Sequence, residues 1–218
     1  MLSPSDKDHL YSALCHDTVF QPSRETFDMF LEHCKELEFK AKKNIVVFGE
    51  INDEFWMVAK GVARMAYYNV VQEVTYGFGG PGTMFISPMG FVKHTEANFH
   101  IISLSSCVML RMDKNTFTSL LRKNHEFCLW INGAMMYQFL ACEAWINARN
   151  VPANIRVEKL MKGLMEEDYD DINPNMKYNR RKVPMRVLAS YLGITRTHMA
   201  HLIKDMYNKD SLQKGNKP

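Results

Sequence analysis

No stretch of the 218 residues holds the roughly 18 consecutive apolar positions that a membrane-spanning helix needs, so no transmembrane segment is expected. The opening residues, MLSPSDKDHLYSALCHD, lack the basic start and apolar core of a secretory leader. These two absences lead us to expect a soluble, cytoplasmic protein with no membrane partner. Cysteine is sparse and scattered. Cys15, Cys34, Cys107, Cys128 and Cys142 form an odd set without any C-x-x-C spacing. A disulfide framework, a zinc site and an iron–sulfur cluster are therefore unsupported, and free thiols in a reducing compartment are expected. Catalytic patterns are missing too. No Ser/His/Asp, Cys/His or paired-carboxylate arrangement has persuasive spacing. The glycine-rich GFGGPG lacks the lysine and hydroxyl of a phosphate loop and reads as a turn. The sequence thus implies no enzyme, no cofactor and no metal.

Charge is present but unevenly placed. From Lys177 onward ten Lys/Arg face only Asp205 and Asp210, a net of +8. The whole chain carries +3, so the remainder carries −5. A basic C-terminal module on a mildly acidic body suits a polyanionic partner at one end.

Hydrophobic patterning divides the chain into three parts. The first 40 residues read as helical: in SRETFDMFLEHCKELEF, Phe27, Phe30, Leu31, Cys34 and Leu37 recur at three and four, with Ser23 as N-cap. From about Lys42 to Asp113 the texture is short, β-branched and aromatic. NIVVFGE, EFWMVAKG, VARMAYYN and VVQEVTYGF are separated by turn residues, and NFHIISLSSCVMLRM follows a glycine-rich break. This spacing predicts a β-sandwich or jelly roll. Lys114–Asn150 then returns to a helical period without proline, with a break near Asn124-His125. On its long helix Phe127, Ile131, Ala134, Gln138, Ala141 and Trp145 alternate four and three apart. That heptad seam predicts a two-fold homodimer. Val151-Pro152 is the expected hinge, because proline disfavours helix in the residue before it. A helix to about Glu167 and a polar loop follow.

VLASYLGITRTHMAHLI, Val187–Ile203, reads as a helix-turn-helix. Ala189 is small enough for the second helix to cross the first closely. Gly193 permits the left-handed turn, and Thr195 can cap the second helix. Leu188, Leu192, Ile194, Met199 and Leu202 supply a shared core. The second helix is expected from Thr195 to about Tyr207. His198 and His201 lie three apart, but no nearby Cys or carboxylate completes a metal site.

These motifs together resemble the family of the cyclic-AMP receptor protein and the fumarate–nitrate reduction regulator, over nearly the whole chain. FGE at Phe48–Glu50, FWMVAKGVAR at Phe55–Arg64, the turn FGGPGTMF and VLASYLGITRTHMAHLI carry the resemblance. It implies an α+β fold in three parts. An N-terminal double-stranded β-helix (jelly roll) with flanking helices spans residues 1–113, a dimerisation helix 114–150, and a C-terminal helix-turn-helix domain 151–218. It also places the effector cassette at Gly82, Thr83 and Met84. Nucleotide-binding members have a glutamate after the cassette glycine and an arginine further on. Here Thr83 follows Gly82, and HTEANFH has no arginine. An anionic phosphate would lack its cation partner, so cyclic AMP is not the expected ligand, and the roll is left to an unidentified small-molecule effector or to none.

By the same resemblance, double-stranded DNA is the partner. Arg196 is the expected main base reader, with Thr197 and His201 weaker, Thr195 and His198 beside them, and Arg186 and Lys204 on phosphates. The family's later arginine place holds His201, and its β-hairpin wing is replaced by NKDSLQKGNKP, read as a basic tail. The leading expectation is a dimeric transcription regulator. The alternative is a sensor or protein-interaction module whose helix-turn-helix no longer reads sequence.

Overall fold

The computed structural model describes residues 2–16, 20–68, 72–165 and 183–215. Two helices, α1 (Pro4–His16) and α2 (Arg24–Glu32), precede eight strands: β1 (Lys35–Phe39), β2 (Asn44–Val46), β3 (Phe55–Lys60), β4 (Ala63–Tyr68), β5 (Glu73–Gly79), β6 (Met84–Ile86), β7 (His100–Ser103) and β8 (Cys107–Met112). A short helix, α3 (Pro88–Lys93), lies between β6 and β7. Then come α4 (Lys114–Lys123), α5 (His125–Arg149), α6 (Ala153–Met165), α7 (Met185–Leu192) and α8 (Arg196–Gly215).

The strands form two four-stranded antiparallel sheets, ordered β1-β8-β3-β6 and β2-β7-β4-β5, which make the jelly roll. Strand β3 shows how the layers are built. Its side chains alternate between faces, so Phe55, Met57 and Ala59 pack against α1, α2, α4 and α5, while Trp56 and Val58 point into the roll. Both faces are covered, so β3 reads as an unbroken apolar run rather than an alternating one. The outer layer is aromatic: Phe30 meets Phe55 and Trp130 edge-on, at ring separations of 5.8 and 5.2 Å. Such pairs each contribute about 0.5–1.5 kcal/mol beyond area burial.

Several element ends follow from local chemistry. The Ser23 hydroxyl accepts from Thr26 N–H at the start of α2. Asn124 ends α4 and caps α5 through Phe127 N–H. Pro152 separates α5 from α6. The helical period expected through residue 40 breaks earlier, however. KELEF is strand β1, paired with β8 from Lys35↔Arg111 to Phe39↔Cys107. Its alternation, with Leu37 and Phe39 packed against the roll interior, outweighs the i, i+3 match to Cys34. Helix α3 was not expected from the sequence. Ser87 caps it through Gly90 N–H, with proline at its first turn. The polar loop and the basic residues from Lys177 to Lys182 lie outside the described residues. Among those described, no helix is long and apolar enough to cross a membrane.

Candidate nucleic-acid interface

Helix α7 ends where Gly193 adopts a left-handed conformation, φ 69°, and its N–H closes back on Ser190 O. A side chain there would be strained, which is why the turn needs glycine. The Thr195 hydroxyl accepts from His198 N–H and caps α8. Val187, Leu188, Ala189, Tyr191, Leu192 and Met199 are buried between α6, α7, α8 and Phe78 of β5, with Ile194 and Leu202 packed against them. This is a helix-turn-helix with its shared core in place.

The expected reading residues all sit on the solvent side. Thr195, just before α8, and Arg196, Thr197, His198, His201 and Lys204 on it are exposed, with Thr197, His201 and Lys204 opposite the buried Met199, and Arg186 is exposed on the first turn of α7. Among the described residues none of Arg186, Arg196 or Lys204 is held in an ion pair. Their charges are uncommitted, as phosphate contacts require. No three His, Cys, Asp or Glu side chains converge on a metal-sized site among the described residues, including around His198 and His201. The chain beyond Tyr207 departs from expectation. It is not a tail, because α8 continues to Gly215, some 30 Å in all at 1.5 Å per residue.

The helix-turn-helix is fastened to the roll by contacts that sequence reasoning missed. Strand β5 is a sheet edge, and α7 lies against it. The Ser190 hydroxyl accepts from Thr75 N–H at 2.9 Å and donates to Glu73 O at 3.1 Å. Phe78 stacks obliquely on Tyr191 at 5.1 Å. Below this contact Arg64 is buried, donating to Thr75 Oγ1 at 2.8 Å and to the Glu73 carboxylate at 2.5 Å. A cleft of about 530 Å³ runs between the two bodies, lined by Arg64, Tyr68 and Glu73 on one side and Arg186, Thr195 and Arg196 on the other. The only signal for the docking in the sequence was one serine inside the apolar run VLASYL.

The cassette turn is closed by the chain itself. Gly82 has φ 88°, and a side chain there would meet Leu14 of α1 at 3.0 Å. Thr83 and Met84 are buried, the Thr83 hydroxyl without a partner, and the Met84 carbonyl accepts from the Gln138 amide. Trp56, Phe85, Phe99, Ile101 and Met109 fill the roll interior.

Helix α5 requires a correction. Phe127 and Ile131, expected at the dimer seam, are buried in the chain's own core. Ala134 is packed against that core, and Gln138 is bonded to the cassette. Trp145 packs between Tyr76 and Arg149, and Ala141 is half-buried. The stripe left exposed is Met135, Met136, Phe139, Leu140 and Ile146. The heptad spacing is real, but the helix is apolar on both sides. The roll takes the side that carries the large residues Phe127, Trp130 and Ile131.

Residues 36–124 match the family model of the cyclic nucleotide-binding domain. No relative matches among curated protein sequences. Similar solved structures include the c-di-GMP-responsive global regulator CLP of Xanthomonas campestris, at TM-score 0.63 and 11% identity, covering 86% of this chain and 93% of that one. A CooA mutant from Carboxydothermus hydrogenoformans aligns at TM-score 0.62 and 16% identity, over 86% and 82%. A transcriptional regulator of the CRP family from Thermus thermophilus aligns at 0.62 and 12%, over 80% and 85%.

Proposed function

Because this chain joins a roll of the cyclic nucleotide-binding type to a C-terminal helix-turn-helix in the fold of the Crp/Fnr regulators, we propose that it is a dimeric, DNA-binding transcription regulator. The observation that carries this reading is the α8 face: capped, solvent-exposed, and bearing Arg196 and Lys204 without ion-pair partners. Arg196 is the main base reader in this reading, with Thr197 and His201 as shorter readers. Lys204 and Arg186 neutralise phosphates. A guanidinium can hold guanine O6 and N7 together, which contributes about 1–3 kcal/mol of discrimination.

Dimerisation through the exposed Met135–Ile146 stripe of α5 would present two copies of α8 to successive major grooves, about 34 Å apart on a palindromic site. Leaving that stripe in water is costly, at roughly 25 cal/mol per Å² of apolar surface. The signal would reach DNA through the β5–α7 contact, since this joins the roll directly to the first helix of the motif. An effector at the cassette would have to displace Leu14 or Gln138. The missing cation argues against a cyclic nucleotide in that place.

The test is fluorescence anisotropy with random and promoter duplexes across a salt series, paired with footprinting. A dimeric regulator gives a steep salt slope and a protected palindrome. A folded protein that protects no site instead supports a sensor or protein-interaction module.

A further inference from the structure

Where α5, α6 and α7 meet, two arginines lie without a carboxylate. Arg149, in the last turn of α5, rests its guanidinium on the Trp145 ring, 4.1 Å from the centroid. It reaches Ser190 O at 3.4 Å. Arg156, in α6, reaches back to Arg149 O at 3.5 Å. Both contacts are long. The Nε of each arginine is enclosed with no acceptor. A guanidinium carries five N–H donors, so most of this donor capacity is unused. Neither arginine is in an ion pair among the described residues.

The surroundings favour an anion. Burial lowers the proton affinity of Arg149, and the neighbouring Arg156 lowers it further. The other charged-state neighbours are the phenols of Tyr67 and Tyr191. Two like charges half-buried side by side, each with an enclosed Nε and no counter-ion, repel one another. One doubly charged oxyanion would satisfy both, because the planar guanidinium fork matches phosphate geometry. The turn of the helix-turn-helix is at hand as well. A Cβ on Gly193 would stand 3.2 Å from the Arg149 guanidinium carbon, so the glycine leaves that cation its room.

We propose that Arg149 and Arg156 form a binding site for a phosphate-type dianion at the junction of the long helix and the helix-turn-helix. The anion would tie α5, α6 and the Ser190–Gly193 turn together, and so stiffen the hinge at Pro152. This site is separate from the cassette and does not depend on the protein reading DNA.

The experiment follows Trp145 emission in the full-length protein, with a Trp145→Phe variant defining the background from Trp56 and Trp130. Inorganic phosphate, glycerol phosphate and short duplex DNA are added in separate arms, against chloride at matched ionic strength. We expect a saturable response to both phosphates and none to chloride. Arg156→Gln should weaken it at least about tenfold, while Arg156→Lys should retain part of it. Thermal melts of the same samples show whether each variant is folded. Should Arg156→Gln fail to fold, the chloride comparison and Arg156→Lys still decide. A response that follows ionic strength alone, or one unchanged in Arg156→Gln, overturns the site. If instead Arg156→Gln weakens only duplex binding, the pair belongs to the DNA backbone and the proposal fails.

Discussion

The Ser190 hydroxyl occupies the edge of β5 as a neighbouring strand would, accepting from Thr75 N–H and donating to Glu73 O across 115 and 117 residues of chain. One side chain of the helix-turn-helix thereby satisfies two backbone groups of the roll. Ser190→Ala leaves both without that partner, and the expected cost is about 1–2 kcal/mol. Hydrogen exchange at the Thr75 amide should accelerate while amides of β3 and β8 keep their protection. Unchanged exchange at Thr75 would mean that α7 does not hold this edge in solution.

Phe139 lies at the middle of the exposed α5 stripe and is 72% exposed, too much for a residue serving only its own chain's core. Phe139→Glu should convert a dimer to a monomer in sedimentation, with little change in the melting of the roll. DNA affinity should fall by orders of magnitude, since a monomer loses one of two half-sites. By contrast, Ile131→Glu should unfold the protein, because Ile131 is buried in the core shared by the roll and helices.

Arg196 and Lys204 should separate specificity from affinity. Arg196→Ala is expected to narrow the gap between preferred and random duplexes by about tenfold or more. Lys204→Ala should weaken binding on every sequence and reduce the salt slope by about one. Anisotropy over 50–300 mM salt, on the order of the range where counter-ion release dominates, measures both.

His100 supplies a pH dependence. It is buried, and its Nδ1 accepts from Phe48 N–H at 3.1 Å, so the neutral ring carries its proton on Nε2. Burial lowers its proton affinity, opposed in part by Glu73 and reinforced by Arg64. The unfolded chain takes up a proton near pH 6.5 that the folded chain refuses. Stability from this group is therefore full above about pH 6.5 and falls as the pH drops toward the depressed folded value. His100→Asn keeps an acceptor for Phe48 and should flatten that part of the profile in denaturant titrations. An identical profile would show that His100 is not the titrating group.

Features set within a few residues were legible from the sequence. Ser23, Asn124 and Thr195 cap helices through N–H groups three residues on, Gly193 permits a left-handed turn, and Pro152 ends a helix. Each works by short-range geometry, so the boundaries at Asn124, Pro152 and Gly193 can be read without knowing the fold. So can the strand-rich middle and the uncommitted basic face of α8. Where a segment satisfied two patterns, only the tertiary structure could choose. Cys34–Phe39 fits both a helical stripe and a strand, and pairing with β8 decided it. Helix α5 is apolar on both sides, and its own roll covers Phe127 and Ile131, leaving Met135, Met136, Phe139, Leu140 and Ile146 exposed. Ser190 looks like a minor polar residue in a core helix until β5 brings its bare edge alongside. Periodicity records that a face is buried. Which surface buries it depends on residues a hundred positions away.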